Sequence, residues 1–372
     1  MKQTALFLAI VTALLPNFLS GFALAADSQD IFSVSVPVDA TAASATAARE
    51  SARLDGQRRA YGALFDRLAV GRDRAKVPAP TDAVLNDIIT SFEVANERRS
   101  DVRYLATLTF HFRPAAVEQI LRSRGISFAE SASKPVVVLP VLDGGSVPLL
   151  WEDSNGWRDA WNKNRAPQGL VALTTPSGDA RDVAAINGAA AESGSDDAMR
   201  KIAKNYGNAD VLVARATLRG AGANKTVSVN STRFVPGSPG GEQTWVANYN
   251  SNPGESDADL LARAAAGTAG QVNDAWKQTN VLDYSQNGSL VVMVPTDDLR
   301  GWIAVRQRLA SIAVVQRTDL MSLDRHGATV TLKYVGGIAQ LRQALTQASL
   351  DLTGNDPDWV LQQRRGADAP AQ

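Results

Sequence analysis

Two heptapeptides lie far apart in the chain: Ala106-Thr107-Leu108-Thr109-Phe110-His111-Phe112 and Ala328-Thr329-Val330-Thr331-Leu332-Lys333-Tyr334. They share three of seven residues and the same alternation of apolar and polar side chains. Alternation with period two sends one side of an extended strand into a core and the other toward solvent. Each heptapeptide also occupies the same place in a longer order of elements.

The first copy of that order opens with Phe32, Val34 and Val36 on a strand before Pro37. Asp39 or Thr41 then caps an Ala-rich helix reaching about Ala69, with Leu54, Tyr61, Leu64, Phe65 and Leu68 as its apolar stripe. Ile88–Val94 and Tyr104–Phe112 follow as strands, Pro114 starts a second helix, and Ile126–Phe128 reads as a short fourth strand. The later copy runs through Leu290–Val294, a helix capped by Thr296 with Leu299, Trp302, Ile303 and Leu309, and the strands Ile312–Leu323 and Ala328–Val335. A helix with Ile338, Leu341 and Leu345 and a short strand at Leu350 and Leu352 complete it. Strand-helix-strand-strand-helix-strand is the split βαβ, or ferredoxin-like, plan. Internal duplication and convergent strand patterning both account for the heptapeptides, because period-two strands resemble one another by construction.

Between the copies, Val136–Val141 is apolar at every position, as expected of a strand covered on both faces. Helical stretches near Trp157–Asn162 and Asp196–Tyr206 follow, then a strand at Ala209–Leu218. A hairpin at Val227–Val235 and Thr244–Tyr249 and a helix opening at Ser256 close this part. The polar breaks at Glu130–Lys134 and Asn280–Gly288 divide the chain. The expected fold is therefore α+β and α/β, with ferredoxin-like regions over 27–130 and 288–352 flanking a mixed-sheet α/β region over 134–282. Residues 353–372 are expected to form a flexible tail, in which Trp359 can dock.

Residues 1–25 carry the signs of a secretory signal peptide. Lys2 supplies the positive start, Ala5–Leu15 the apolar stretch, and Ala23-Leu24-Ala25 the small residues of a cleavage site after Ala25. Pro16, Asn17, Ser20 and Gly21 interrupt the segment well short of the ~20 apolar residues that span a bilayer, and no later segment is long enough. The expected location is periplasmic or secreted, with no transmembrane span after cleavage. The chain has 0 Cys, which removes disulfides and thiol chemistry, and a protein of 372 residues can bury a core without them. Lys plus Arg and Asp plus Glu both total 38, so there is no global field to hold nucleic acid or an anionic membrane. The third strand of the later copy carries only Tyr334 as an aromatic, short of the stacking pattern of RNA-binding sheets.

Chemical constellations are sparse. His111 falls opposite the apolar side of its strand and His326 in a tight turn, and neither has metal-ligand spacing. Asp196-Asp197 and Asp297-Asp298 open helices, where the macrodipole favours acids. Gly237–Gly241 joins two strands rather than a strand to a helix, so it offers no phosphate cradle. No cofactor is expected. The one candidate ligand site is Trp151, Trp157 and Trp161, with Asp153, Arg158, Glu152 and Asn155 beside them, after the first strand of the middle region. Indole faces there can stack on a sugar ring or a partner's apolar side chain, or they can pack the helix onto the sheet.

VSVPVDATAASATAARESA, RYLATLTFHFRPAAVEQILRSRGISF, and PVVVLPVLDGG with LWEDSNGWRDAW resemble the bacterial domain-of-unknown-function family 2066. That resemblance implies an exported envelope protein and supplies no catalytic residues. PVVVLPVLDGG followed by AMRKIAKNYGNADVLVARATL is similar to the amino-terminal domain of TolB-like and CsgG-like envelope proteins. The leading expectation is a non-catalytic periplasmic interaction or scaffold protein, partnered by an envelope protein or a cell-wall component. Glycan or small-ligand binding at the tryptophans and a carboxylate-dependent hydrolase are the alternatives, and oligomeric state is left open.

Overall fold

Alternating Val34, Val36 and Val38 build the first strand of the computed structural model, which describes residues 30–363 except 146, 164–168, 222–223, 238–239, 282–286, 297, 311 and 325–326. The expected signal peptide, Asp297, His326 and the last nine residues of the expected tail lie outside the described residues. Strand β1 (Ser33–Thr41) leads into helix α1 (Ala45–Leu68), capped by Ser44 rather than by Asp39 or Thr41, because β1 runs on to Thr41. After a 3-10 turn come α2 (Asp82–Ile88), β2 (Ile89–Arg99), β3 (Arg103–Phe112) and α3 (Pro114–Ser123). The sheet is antiparallel in the order β1-β3-β2, with Leu108 opposite both Val36 and Val94. Ile126–Phe128 does not add a fourth strand. Val70 N donates to Ser127 O, and Ala69 pairs with Phe128, so this stretch ties to the chain leaving α1 instead of to β1.

The middle region contains β4 (Val136–Asp143), β5 (Pro148–Leu149), α4 (Gly156–Lys163), β6 (Leu173–Thr174), α5 (Ala180–Ala185), α6 (Gly188–Glu192) and α7 (Asp196–Asn205). It continues with β7 (Asp210–Arg219), β8 (Thr226–Phe234), β9 (Gln243–Asn250) and α8 (Asp257–Thr279). Its sheet is mixed, ordered β5-β4-β7-β8-β9, with β4 parallel to β7 and to β6. The unbroken apolar run of β4 has its expected consequence: even residues Val136 and Val138 meet α4 and α8, and odd residues Val137 and Leu139 meet Met199 and Ile202 of α7.

The last sheet holds β10 (Asn287–Pro295), β11 (Val315–Asp324), β12 (Gly327–Val335), β13 (Leu350–Asn355) and β14 (Asp358–Gln363), with α9 (Leu299–Ala310) and α10 (Ile338–Gln347) on its inner face. Its order is β11-β12-β10-β14-β13. The expected flexible tail is corrected here. An Asp-Pro turn folds the chain back, Leu361 pairs with Leu352 and is fully buried, and β14 runs parallel to β10.

The C-terminal end of α8 joins the three sheets. Lys277 is buried, and its ammonium donates to the Asp66 and Ala69 carbonyls at the end of α1 (2.9 and 2.8 Å) while pairing with Asp274 at 2.7 Å. Those carbonyls are acceptors that a helix end leaves without an intrahelical donor. Burial lowers the Lys277 pKa, and Asp274 opposes that shift. Trp276 Nε1 donates to Ser131 O (2.7 Å), and Gln340 of α10 donates to Val281 O (2.9 Å). Leu170, from the middle region, is buried in the core of the first sheet.

Candidate functional site

The structure separates the three tryptophans. Asn155 caps α4 by accepting from Arg158 N (3.0 Å), while its amide donates to Pro140 O (2.9 Å) and Leu149 O (3.0 Å). The helix thereby turns Trp157 (0% exposed) and Trp161 (5%) into the core between α4, α8 and the sheet. Trp157 Nε1 donates to Ala214 O (2.8 Å), and the two indoles meet edge to face at 5.8 Å. Trp151 instead packs against the opposite core, donating to Ile186 O (2.7 Å), with the Arg158 guanidinium 5.7 Å over its ring. Arg158 also donates to Ser177 O, Glu152 accepts from Leu150 N (2.6 Å), and Asp153 is exposed. The expected ligand cluster is therefore corrected. Stacking needs open ring faces, and the two adjacent indoles have theirs covered by packing.

The remaining candidates have structural partners. His111 lies on the outer face of the first sheet, 3.3 Å from Glu93. Asp196 and Asp197 pair with Arg200 and Lys201 one turn along α7, and Asp298 accepts from Gly301 N (2.8 Å) at the start of α9. At the C-terminal end of β4, Asp143 and Glu192 are bridged by Arg215 at 3.7 and 2.6 Å. Among the described residues no group of three or more His, Asp or Glu is placed to hold a metal ion, and no helix is long and apolar enough to cross a membrane.

A groove of about 300 Å³ lies between α1 and the β2–β3 hairpin. Its cause is the narrow buried face of α1. Ala48, Ala52, Gly56 and Ala60, spaced one turn apart, let the helix sit close on β1 and β3. A Cβ at Gly56 would meet Val38, Phe110 and Leu108 at 3.1–3.3 Å. A helix drawn this tightly onto β1 and β3 leaves β2 uncovered. Phe92 and Val94 point to the same face as buried Phe110 and Leu108, yet are 40% and 38% exposed.

Phe92, Tyr104 and Leu108 line the groove from the sheet, and Thr46, Arg49, Glu50 and Arg53 line it from α1. The Phe92 ring lies 5.7 Å from that of Phe110, which fixes it on the sheet. Arg53 binds Glu50 through two hydrogen bonds (3.0 and 2.5 Å), which lower the Glu50 pKa. Burial raises the Tyr104 pKa, Glu97 adds to the rise, and Arg49 opposes it. The result is an apolar slot with two guanidiniums and one carboxylate among its lining residues.

Sequence reasoning missed this groove because it depends on what α1 fails to cover. The signal was available in two places: the small residues at 48, 52, 56 and 60, and the apolar pair Phe92 and Val94 on the neighbouring strand. No family model matches the chain, and no curated protein or solved structure is significantly similar to it.

Proposed function

We propose that this chain is an exported, non-catalytic interaction protein of the bacterial envelope, and that the α1/β2 groove is its binding face. The observation that carries the proposal is the exposure of Phe92 and Val94 on the core side of their sheet, beside a slot rimmed by Arg49, Glu50 and Arg53. Exposed apolar residues that line a concavity rimmed by charge are a mark of interaction sites. The signal-peptide pattern of residues 1–25 and the resemblance to family 2066 support export.

We also read both terminal regions as ferredoxin-like units. Support comes from their matching registers: Val34, Val36 and Val38 face Phe110, Leu108 and Ala106, as Leu290, Val292 and Val294 face Leu332, Val330 and Ala328. The first unit lacks a fourth strand among its described residues, and in the second β14 takes the place beside the first strand.

A photoreactive amino acid at Phe92, and at Thr318 as its counterpart on β11, tests the function in intact cells. Cell fractionation reports the compartment. The expected result is a specific adduct from position 92 in the exported fraction and none from 318. Equal labelling from both positions, or retention of the chain in the cytoplasm, overturns the proposal.

A further inference from the structure

We infer that the occupant of the groove is an extended peptide that adds as a strand to the free edge of β2, with a large apolar side chain in the slot and a carboxylate near Arg49. This deepens the proposal that the groove is a binding face and rests on it.

Among the described residues, only one of the two edges of the first sheet is left open. On β1, Pro37 has no N–H to offer, and Arg67 Nη1 occupies the carbonyls of Ile31 and Ser33 at 2.7 Å each. Strand β2 ends its sheet on the other side, and every residue from Thr90 to Arg99 is exposed. Its far end is blunted by Glu97, Arg98 and Arg99 and by a register shift between Ala95 and Arg98. From Ser91 to Ala95 the pairing with β3 is regular, leaving a run of main chain able to accept another strand.

Side-chain geometry connects that edge to the slot. A residue directly opposite Phe92 on an added strand projects to the same face of the sheet. That face carries the slot, since Phe92 itself lines it. A volume of about 300 Å³ holds one or two side chains rather than the several anchors of a helix face. The two guanidiniums outnumber the one carboxylate of the lining, and Glu50 already engages Arg53. Arg49, the second guanidinium of the lining, is the group placed to meet an acid on the incoming chain. A helix beside an open edge strand with an apolar slot between them is the arrangement of strand-addition recognition.

The test pans a random decapeptide display library against the full chain and measures binding of the synthesised consensus peptide. The expected consensus has a large apolar residue with an acid within two positions of it. Phe92→Asp is expected to weaken binding by about tenfold or more, the effect of losing one large apolar contact. Because Phe92 is 40% exposed, this variant keeps the fold, which circular dichroism checks. Arg49→Glu should weaken the acidic peptide about fivefold and be rescued by a lysine in place of the acid. N-methylation of alternate peptide amides should abolish binding in one parity and spare the other, because a strand bonds its neighbour through alternate residues. Peptides that bind at Phe92 but tolerate methylation in either parity overturn strand addition while leaving the groove as the binding face. The anionic apolar dye anilinonaphthalene sulfonate, bound at Phe92 with no peptide able to displace it, overturns the peptide and points to a small amphiphile. Selected peptides indifferent to Phe92→Asp overturn both the inference and the choice of groove.

Discussion

The first and last sheets share a pairing pattern and differ in what covers it. β3 and β12 each set Ala, a β-branched or Leu residue, and a large apolar residue against three apolar residues of β1 and β10, in the same register. Val94 and Leu320 occupy matching places on the second strand, as do Phe92 and Thr318. The helices differ: α1 has 24 residues and α9 has 12, or about 36 Å against 18 Å at 1.5 Å per residue. So do the edges. Beside β10 the chain supplies β14, whereas β1 is closed by Pro37 and Arg67. Alternation within strands therefore sets register in both sheets and leaves β2 and β11 at an edge, while the helices and the chain-end segment differ in what they cover: α9 packs on β11, and β14 covers β10.

The largest effects should come from the shared cores. Phe110→Ala is expected to cost about 3–5 kcal/mol and its counterpart Leu332→Ala about 2–5 kcal/mol, both being fully buried. Urea denaturation measures each, and a silent variant in either sheet would break the equivalence. Trp302→Ala, in the helix stripe of the last sheet, belongs in the same 3–5 kcal/mol range of about the Phe110 effect.

Truncation after Asn355 removes β14 and with it buried Leu361. The expected loss is about 2–4 kcal/mol in thermal melting, from the apolar area uncovered beside β10. A truncated chain that melts with the parent would return residues 356–372 to the status of a tail.

Acid sharpens the contrast at the other end. Asp73 binds Lys76 (2.6 Å) and accepts from Ser127 N (3.0 Å), clamping the stretch that stands in for a fourth strand. These contacts, Lys76 foremost, hold its pKa down at about 2. A folded-state pKa below the unfolded value of ~3.9 means that the stability is present above that value and lost as pH falls through about 2. Glu255, held at about 2 chiefly by Arg263, acts with the same sign at the start of α8. Melting temperature followed from pH 5 to pH 2 should fall less steeply in Asp73→Asn than in the parent, and parallel curves would contradict the clamp.

The smallest expected effect is that of Phe92→Thr, which gives β2 the residue its counterpart carries at Thr318. Phe92 is exposed, so stability should change by less than about 1 kcal/mol while peptide binding falls. Calorimetry of the free chain beside a binding titration separates the two.

Much of this fold was legible because strong periodicity leaves few alternatives. The apolar run Val136–Val141 announced a strand buried on both faces, and Pro114 and Ser256 marked helix starts. Single positions misled where tertiary partners decided. Trp157 and Trp161 are spaced as a surface stripe would be, but the Asn155 cap turns their face inward. Residues 353–372 read as a tail in which Trp359 can dock, yet the core beside β10 takes in both Trp359 and Leu361. The groove was hidden for the converse reason, since no residue in it is unusual until the reach of α1 across the sheet is known.

Hydrogen exchange on the full chain, with and without the consensus peptide, tests the central claim most directly. It compares Ile89–Ala95 of β2 with Val315–Leu323 of β11. The account predicts that alternate amides of β2, those not bonded to β3, exchange fast in the free protein and become protected on binding, while β11 is unchanged. Protection confined to β11, or β2 amides already protected in the free protein, would contradict it.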